Sequence, residues 1–436
     1  MRPLKIAVAG SGISGLSAAW ALSQHHHVTL YEKQPRPGGH SNTVTVDIGG
    51  AEIAVDTGFI VYNSAAYPNL TALFQHLDAP TAPSDMSLAF SMQGGDYEYS
   101  GNGLFHLFGH IGSLFDAGHW RLLQDIVRFF LSASSSAKKL SDDMTLGEFI
   151  LHKGYSKSFA LRHLLPMAGA IWSAKPEDML KYPARAFIRF YENHGLLKFA
   201  NRPAWRTVEG GSKEYVKRLL AASSLDLRLG AGVTRIERGA DSVTVRDASG
   251  GQAVYDHIVI AAHADEALEL LAEPSEEERR VLSAFRYSKN RVVLHTDPAL
   301  MPKRKRLWSS WNCMSADSSN FGVTYWMNRL QPLATRQDVF VSLNPPFEPR
   351  AETVLGEYFY EHPVYSPQAL RAQGDLWPMQ GQNNTWFCGA YFGAGFHEDG
   401  LQAGLAVAER LGGVQRPWHV SDPSGRMRLP EAREAA

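Results

Sequence analysis

Three glycines near the start of the chain, Gly10, Gly12 and Gly15, are spaced as G-x-G-x-x-G and carry its strongest chemical signal. They lie between an apolar run, Leu4 to Ala9, and an Ala- and Leu-rich segment, Ile13 to Ser23, whose spacing predicts a helix. In a strand-to-helix setting Gly10 permits the tight turn, Gly12 lets backbone approach a pyrophosphate, and Gly15 lets helix and strand pack closely. Ser11, Ile13 and Ser14 complete the loop, and the helix N-terminus behind them offers free N–H groups and partial positive charge to an anion. A second strand, His27 to Glu32, ends in a carboxylate seventeen residues after Gly15, placed to accept hydrogen bonds from ribose hydroxyls, with Lys33 beside it. This is the chemistry of holding a dinucleotide.

Other reactive side chains are scattered. His163, His194 and His397 carry imidazoles that could titrate near neutrality, and with the phenol of Tyr391 they are the candidate catalytic groups. The residues alone do not rank them, and a structural hydrogen bond is an open role for each. The run His25-His26-His27 imitates a metal site. Consecutive residues at a strand edge point to alternate sides, however, so a solvated turn is expected. The two cysteines, Cys313 and Cys388, have no partners at zinc-like spacing, and no metal is expected.

Composition narrows the class. The 436 residues, 44% apolar and 11% aromatic, can bury a large core divided among two or three folding units. With 43 basic and 44 acidic residues there is no long-range field, so nucleic acid is not an expected partner and any membrane contact must be local. Two cysteines exclude a disulfide framework and fit a reducing cytoplasm, so that any membrane contact would be at the inner face of the membrane. Arg2 and Lys5 before an apolar stretch imitate a secretory signal, but the three glycines interrupt it. No uncharged apolar run approaches the about 18 residues that span a bilayer; Gly103 to Phe115 comes closest.

After Glu32 come Arg36-Pro37-Gly38-Gly39-His40-Ser41 and then Asp56-Thr57-Gly58-Phe59. Together with the first fingerprint these segments resemble the flavin-containing amine oxidase and phytoene desaturase superfamily. The resemblance implies FAD rather than NAD, with Gly38, Gly39, His40 and Ser41 along the pyrophosphate and Thr57, Gly58 and Phe59 bringing backbone to the isoalloxazine. Val233 to Ile236, Ser242 to Arg246 and Asp256 to Ala262 are similar to the superfamily's hairpin and returning strand, which implies Val233 at the adenine and Ala261 at the dinucleotide. Trp386 to Ala390 resembles the last sheet strand, and Phe396 to Leu401 the loop into an Ala-rich helix. Gly389, Ala390, His397, Glu398, Asp399 and Leu401 are thereby implied at the cofactor. That helix N-terminus should point at the flavin pyrimidine ring, where it would stabilise negative charge by about 0.3–1 kcal/mol. Ala390 departs from the pattern: amine oxidases commonly place a carboxylate or Thr there, so that phosphate contact is expected to be replaced.

Arg162 to Ser173, Tyr191 to Leu197, Val208 to Ser212 and Gly389 to Leu401 resemble a narrower bacterial subgroup, described as predicted NAD/FAD-binding proteins, over essentially residues 1–412. The subgroup is associated with cyclopropane-fatty-acyl-phospholipid synthase-like methyltransferases, which implies lipid acyl chains as substrate.

The expected fold is α/β. A Rossmann-type FAD-binding domain would be built from residues 1–75, 201–265 and 376–412. A discontinuous α+β substrate domain would have a helical part at 76–200 and a strand-rich part at 266–375, with strands at Arg291 to His295, Gly322 to Trp326 and Val339 to Leu343. Residues 413–436 read as a poorly ordered tail. The apolar stretch Leu104 to Leu131, with Phe105, Phe115, Trp120, Phe129 and Phe130, suits either a buried helical cap or a membrane-docking surface with a cationic rim. Only one fingerprint has the strand-to-helix context, so electrons are expected from the organic substrate rather than from NAD(P)H. The expected reaction is FAD-dependent removal of a hydride from a hydrophobic small molecule or lipid, an unsaturated or methyl-branched fatty-acyl chain. Two alternatives stay open: an amine oxidase, for which Tyr391 and Phe392 would have to flank the flavin, and a redox-neutral double-bond isomerase. Oligomeric state is not legible.

Overall fold

The computed structural model describes residues 2–141, 143–317 and 321–429. Strand Lys5–Ala9 buries four consecutive apolar residues on both faces, as a central parallel strand must. It pairs in parallel with His27–Tyr31 on one side and His257–Ile260 on the other. Leu225–Arg228 and Thr385–Phe387 extend the sheet outward, also in parallel. Helix Ile13–Ser23 makes the crossover, every residue of it buried. It packs so tightly on the last helix, His397–Leu411, that a Cβ on Gly404 would lie 2.2 Å from the Ser14 carbonyl oxygen. The two ends of the chain thus share one layered unit.

The second sheet has seven strands. Arg286–His295 and Phe321–Trp326 contain two of the strands expected from the sequence, Phe340–Leu343 is the third, starting one residue later than expected, and Trp311–Ser315 and Val354–Val364 join them. Its far edge corrects the reading of residues 76–200 as helical: Leu88–Met92 and Tyr97–Ser100 form a hairpin of this sheet. Phe90 and Tyr99 pair directly and stack at 4.8 Å, while Gln93, Gly94 and Gly95 take positive φ in the turn. Helices begin only at Leu104, and Ala117–Ala137, Leu146–His152, Leu165–Trp172 and Ala184–Asn193 then enclose an aromatic core of Phe129, Phe149, Phe159, Phe187 and Tyr191.

A small hairpin, Thr43–Ile48 with Ala51–Asp56, sits at the junction of these parts. The buried Asp56 carboxylate accepts from Ser212 N at 2.9 Å, Ser212 Oγ at 2.8 Å, Thr43 Oγ1 at 2.6 Å and Gln331 Nε2 at 2.8 Å. Burial pushes its carboxyl up to about 6, although every one of those donors favours the anion.

The expectation of a poorly ordered tail fails for residues 413–429. Trp418 stacks on Trp20 at 6.0 Å, Arg416 forms a two-pronged pair with Glu409 at 2.8 and 2.9 Å, Arg426 donates to Asp399 and to the Ala66 carbonyl, and Met427 is buried. Glu409 lies only seven residues from Arg416, but Trp20 and Ala66 stand at the other end of the chain, where local composition cannot reveal them. Residues 430–436 fall outside the described residues. Among the described residues, no helix is long and apolar enough to cross a membrane.

Candidate active site

A single cavity of about 2210 Å³ runs from the parallel sheet to the helical layer. That exceeds the about 300–1,000 Å³ of ordinary small-molecule sites and leaves room for a dinucleotide and a second ligand.

At the sheet end the walls are Gly10, Ser11, Gly12, Ile13 and Ser14, then Glu32, Lys33, Gly39 and His40, with Thr57, Gly58 and Phe59 beyond. Val233, Ala261, Gly389, Ala390 and His397 complete it. Gly12 caps the first helix with no side chain to occupy the N–H groups, which leaves them for an anion. Glu32, read from the sequence as a ribose acceptor, has a second duty: Oε2 accepts from Ser11 N at 2.9 Å and Ser11 Oγ at 2.5 Å, and Oε1 from Gln34 N at 2.8 Å. It therefore also shapes the glycine loop.

Gly15, Gly38 and Ser41 stand one layer behind. Gly15 fits against the Gly10 carbonyl, Gly38 N donates to Ser11 O at 3.0 Å, and Ser41 Oγ bonds Tyr215 and reaches His397 Nε2 at 2.9 Å. Glu398, Asp399 and Leu401, expected at the cofactor, also lie outside the cavity wall. Glu398 accepts from Asn69 N at 3.0 Å and Leu70 N at 2.9 Å, Asp399 accepts from Phe396 N at 2.8 Å as the helix cap, and Leu401 is core. The pattern at the start of the last helix was legible, but which way its carboxylates turn was not.

Near Lys33, the side chains of His263, Glu266 and Glu361 come within 4.8 Å of one another. The Lys33 ammonium already sits 2.5 Å from Glu266, so one of the two carboxylates there is paired within the protein. The histidine run also differs in part from the solvated turn expected: His26 is buried, accepting from Leu4 N through Nδ1 at 3.3 Å and bonding the Gly412 carbonyl through Nε2 at 3.0 Å.

All four catalytic candidates line the cavity. Tyr391 is buried with its hydroxyl unpartnered, and burial raises its pKa well above the usual phenol value. It stays protonated and can donate but not act as a base. His397 stacks on Phe59 at 3.9 Å, with Nε2 engaged by Ser41 and Tyr215. His163 Nδ1 lies 3.0 Å from the Tyr99 hydroxyl, whose proton goes to the Arg162 carbonyl at 2.9 Å, so Nδ1 must be the donor. His194 Nδ1 donates to the Phe190 carbonyl at 2.9 Å, and its buried Nε2 has no partner. Both rings therefore carry the lone pair on Nε2.

Burial holds His163, His194 and His397 down to about 3. A base whose folded pKa is depressed contributes stability that is present above its unfolded value, about 6.5, and is lost as pH falls through the window below. Asp56 and Asp399, whose carboxyls burial raises, work in the opposite direction, but burial also lowers His40, His119, His257, His295 and His362, so the depressed imidazoles outnumber them. The urea midpoint should therefore fall steadily between about pH 7 and pH 4. A midpoint that stays level over that range would contradict the buried neutral imidazoles.

Arg36, which opens the loop that the resemblance placed along the pyrophosphate, also lines the cavity. Its Nη2 donates to Gly39 O at 3.0 Å, and its Nη1 is buried without a partner, as is His40 Nε2. Unsatisfied buried polar atoms cost about 1–3 kcal/mol each, so their grouping on one wall fits a ligand that engages them.

Residues 13–353 match the model of the flavin containing amine oxidoreductases, which is well over half of the chain. The chain belongs to this family. It is an FAD-dependent oxidoreductase with an amine oxidase-like two-domain fold, and the open helix cap, the glycine loop and the unpartnered Arg36 and His40 atoms fit its cofactor. Among solved structures it is similar to a CLA-producing fatty acid isomerase from P. acnes, with 14% identity over 94% of this chain and 98% of the other and a TM-score of 0.67. A cyclohexylamine oxidase from Brevibacterium oxydans IH-35A shares 16% identity over 94% and 99%, with a TM-score of 0.66. A putrescine oxidase bound to putrescine shares 13% over 94% and 99%, with a TM-score of 0.67. At these identities the likeness is one of fold. No curated protein matches the chain by sequence.

Proposed function

We propose that this enzyme oxidises a fatty-acyl chain of a lipid, unsaturated or methyl-branched, introducing a carbon–carbon double bond. One observation carries the reading. The cavity wall contributed by residues 84–205 includes Phe90, Leu107, Leu123, Ile126, Phe130 and Met167, and no carboxylate. An acyl chain has few polar handles and gains about 0.8 kcal/mol for each CH₂ buried, so an apolar chamber suits it. On that wall a protonated amine would find no counter-ion; the carboxylates that line the cavity, Glu32, Glu266, Glu269 and Glu361, stand elsewhere on it. Nor do Tyr391 and Phe392 form a facing pair: their rings meet at 47°, and of the two Tyr391 alone lines the cavity. The resemblance to the methyltransferase-associated subgroup points to the same substrate class.

In this reading Gly10 to Ser14, Glu32, Gly39, His40, Thr57 to Phe59, Val233, Ala261, Gly389 and Ala390 hold the cofactor. Bound FAD supplies the acceptor for a hydride from one carbon. The apolar walls exclude water and align the chain, and the proton of the neighbouring carbon passes to the Nε2 lone pair of His194 or His163, or to water. A new C=C bond balances the loss of both hydrogens.

Lipids of the native host, compared by mass spectrometry with and without the active protein, should differ by species two hydrogens lighter in an acyl chain. Identical lipid profiles would count against the proposal. Species of unchanged mass with a moved double bond would favour the isomerase reading, a reaction named for one of the similar structures.

A further inference from the structure

We infer that the rim of the cavity is a docking surface for an anionic phospholipid bilayer. The inference rests on the acyl-chain reading and gives that substrate its route. Phe105 is 91% exposed, Phe115 85%, Ile111 78% and Leu131 73%. On helix Ala117–Ala137, Trp120, Val127 and Leu131 follow one another at seven and four residues, so they share the outward face, while Leu122, Phe129 and Ala133 are buried on the other. The core accounts for the inner apolar face. It does not account for the outer one.

Continuity with the cavity identifies what covers that face. Leu104 and Val127 belong to the exposed surface and to the cavity wall alike. Phe130 and Phe199, with rings 5.0 Å apart, line the same opening. The apolar chamber thus opens directly onto the apolar patch, the arrangement a chain leaving a bilayer requires. The charges agree. Lys198 and Arg202 are exposed on either side of Phe199, and neither pairs with a carboxylate among the described residues. Arg121 and Arg128 share the single buried carboxylate of Asp125. A chain of net charge −1 therefore carries a cationic rim around an exposed apolar patch, which suits the interface of an anionic membrane. The contact is peripheral, since no described helix can span a bilayer.

The test is sedimentation of the purified holoenzyme with vesicles of phosphatidylcholine, alone or mixed with phosphatidylglycerol. Binding is expected on the mixed vesicles, with a fall of about tenfold or more in the triple variant F105D/F115D/L131D and a smaller one in K198E/R202E. Both variants should keep the wild-type flavin spectrum and elution volume, and the triple variant, whose three residues lie outside the cavity wall, should act on detergent-dispersed lipid as the wild type does. Absence of vesicle binding, or undiminished binding by the triple variant, would overturn the docking surface, as would a wild-type dimer that the triple variant breaks. Vesicle binding fails separately from the acyl-chain reading, because detergent-dispersed substrate needs no docking.

Discussion

Gly12→Val is expected to yield a folded protein that does not retain FAD, whereas Gly15→Val should prevent folding. The two glycines are three residues apart, yet their surroundings are opposite. Gly12 has φ −66° and ψ 177°, ordinary extended backbone open to any residue, and a Cβ there would meet nothing within 4 Å. The added side chain would instead stand in the cavity, at the uncapped helix N-terminus where the pyrophosphate must approach backbone. FAD affinity should fall by about a hundredfold or more, some 2.7 kcal/mol, with the thermal transition of the apoprotein unchanged. At Gly15 a Cβ would lie 1.9 Å from the Gly10 carbonyl oxygen and 3.0 Å from Ala261 Cβ. The nearest atom is backbone, so the first helix would have to leave the sheet, at a cost on the scale of the whole folding free energy of about 5–15 kcal/mol. Flavin absorbance per mole of protein and a melting curve distinguish the two. A Gly12→Val protein that keeps stoichiometric flavin would show the loop to be misassigned.

The dinucleotide end was legible because its signals are local. Turn glycines, a buried parallel strand, an Ala-rich helix and a carboxylate at the next strand end occupy the first 32 residues, and helix Ile13–Ser23 runs as its spacing predicts. Within the strands Arg286–His295 and Phe321–Trp326, the segments Arg291 to His295 and Gly322 to Trp326 were legible as β-prone runs. The hairpin of Leu88–Met92 and Tyr97–Ser100 carried a readable turn in Gly94-Gly95, but the apolar stretch that follows drew the whole segment into a helical reading.

Other features depend on partners that sequence does not reveal. Helix Ala117–Ala137 is apolar on two faces, and only packing tells that Phe129 belongs to the core while Leu131 faces out. The tail gains its order from Trp20 on the first helix and from Glu409 and Asp399 on the last, which fix it once the two helices are packed together. Of the four catalytic candidates, the sequence could not rank any. The hydrogen bonds set two of them apart in their surroundings: the Phe190 carbonyl fixes the tautomer of His194 and leaves its Nε2 free, while Ser41 and Tyr215 occupy His397.

Anaerobic addition of a phospholipid bearing an unsaturated or methyl-branched chain should bleach the bound flavin of the holoenzyme. The expected effect is large, because the reaction runs from the oxidised to the reduced cofactor with nothing present to reverse it. It follows from the apolar, carboxylate-free wall of residues 84–205 joined to the cofactor end in one cavity, and from a balance in which each double bond formed delivers two electrons to one flavin. Soluble amines such as putrescine should leave the spectrum unchanged, having no counter-ion on the chamber wall. The measurement is therefore a paired one: flavin absorbance under anaerobic titration, and the mass of the recovered acyl chain. The account predicts one bleached flavin for each chain that has lost two hydrogens. A flavin untouched by every such lipid, but bleached by a soluble amine that releases hydrogen peroxide once air is admitted, would contradict it.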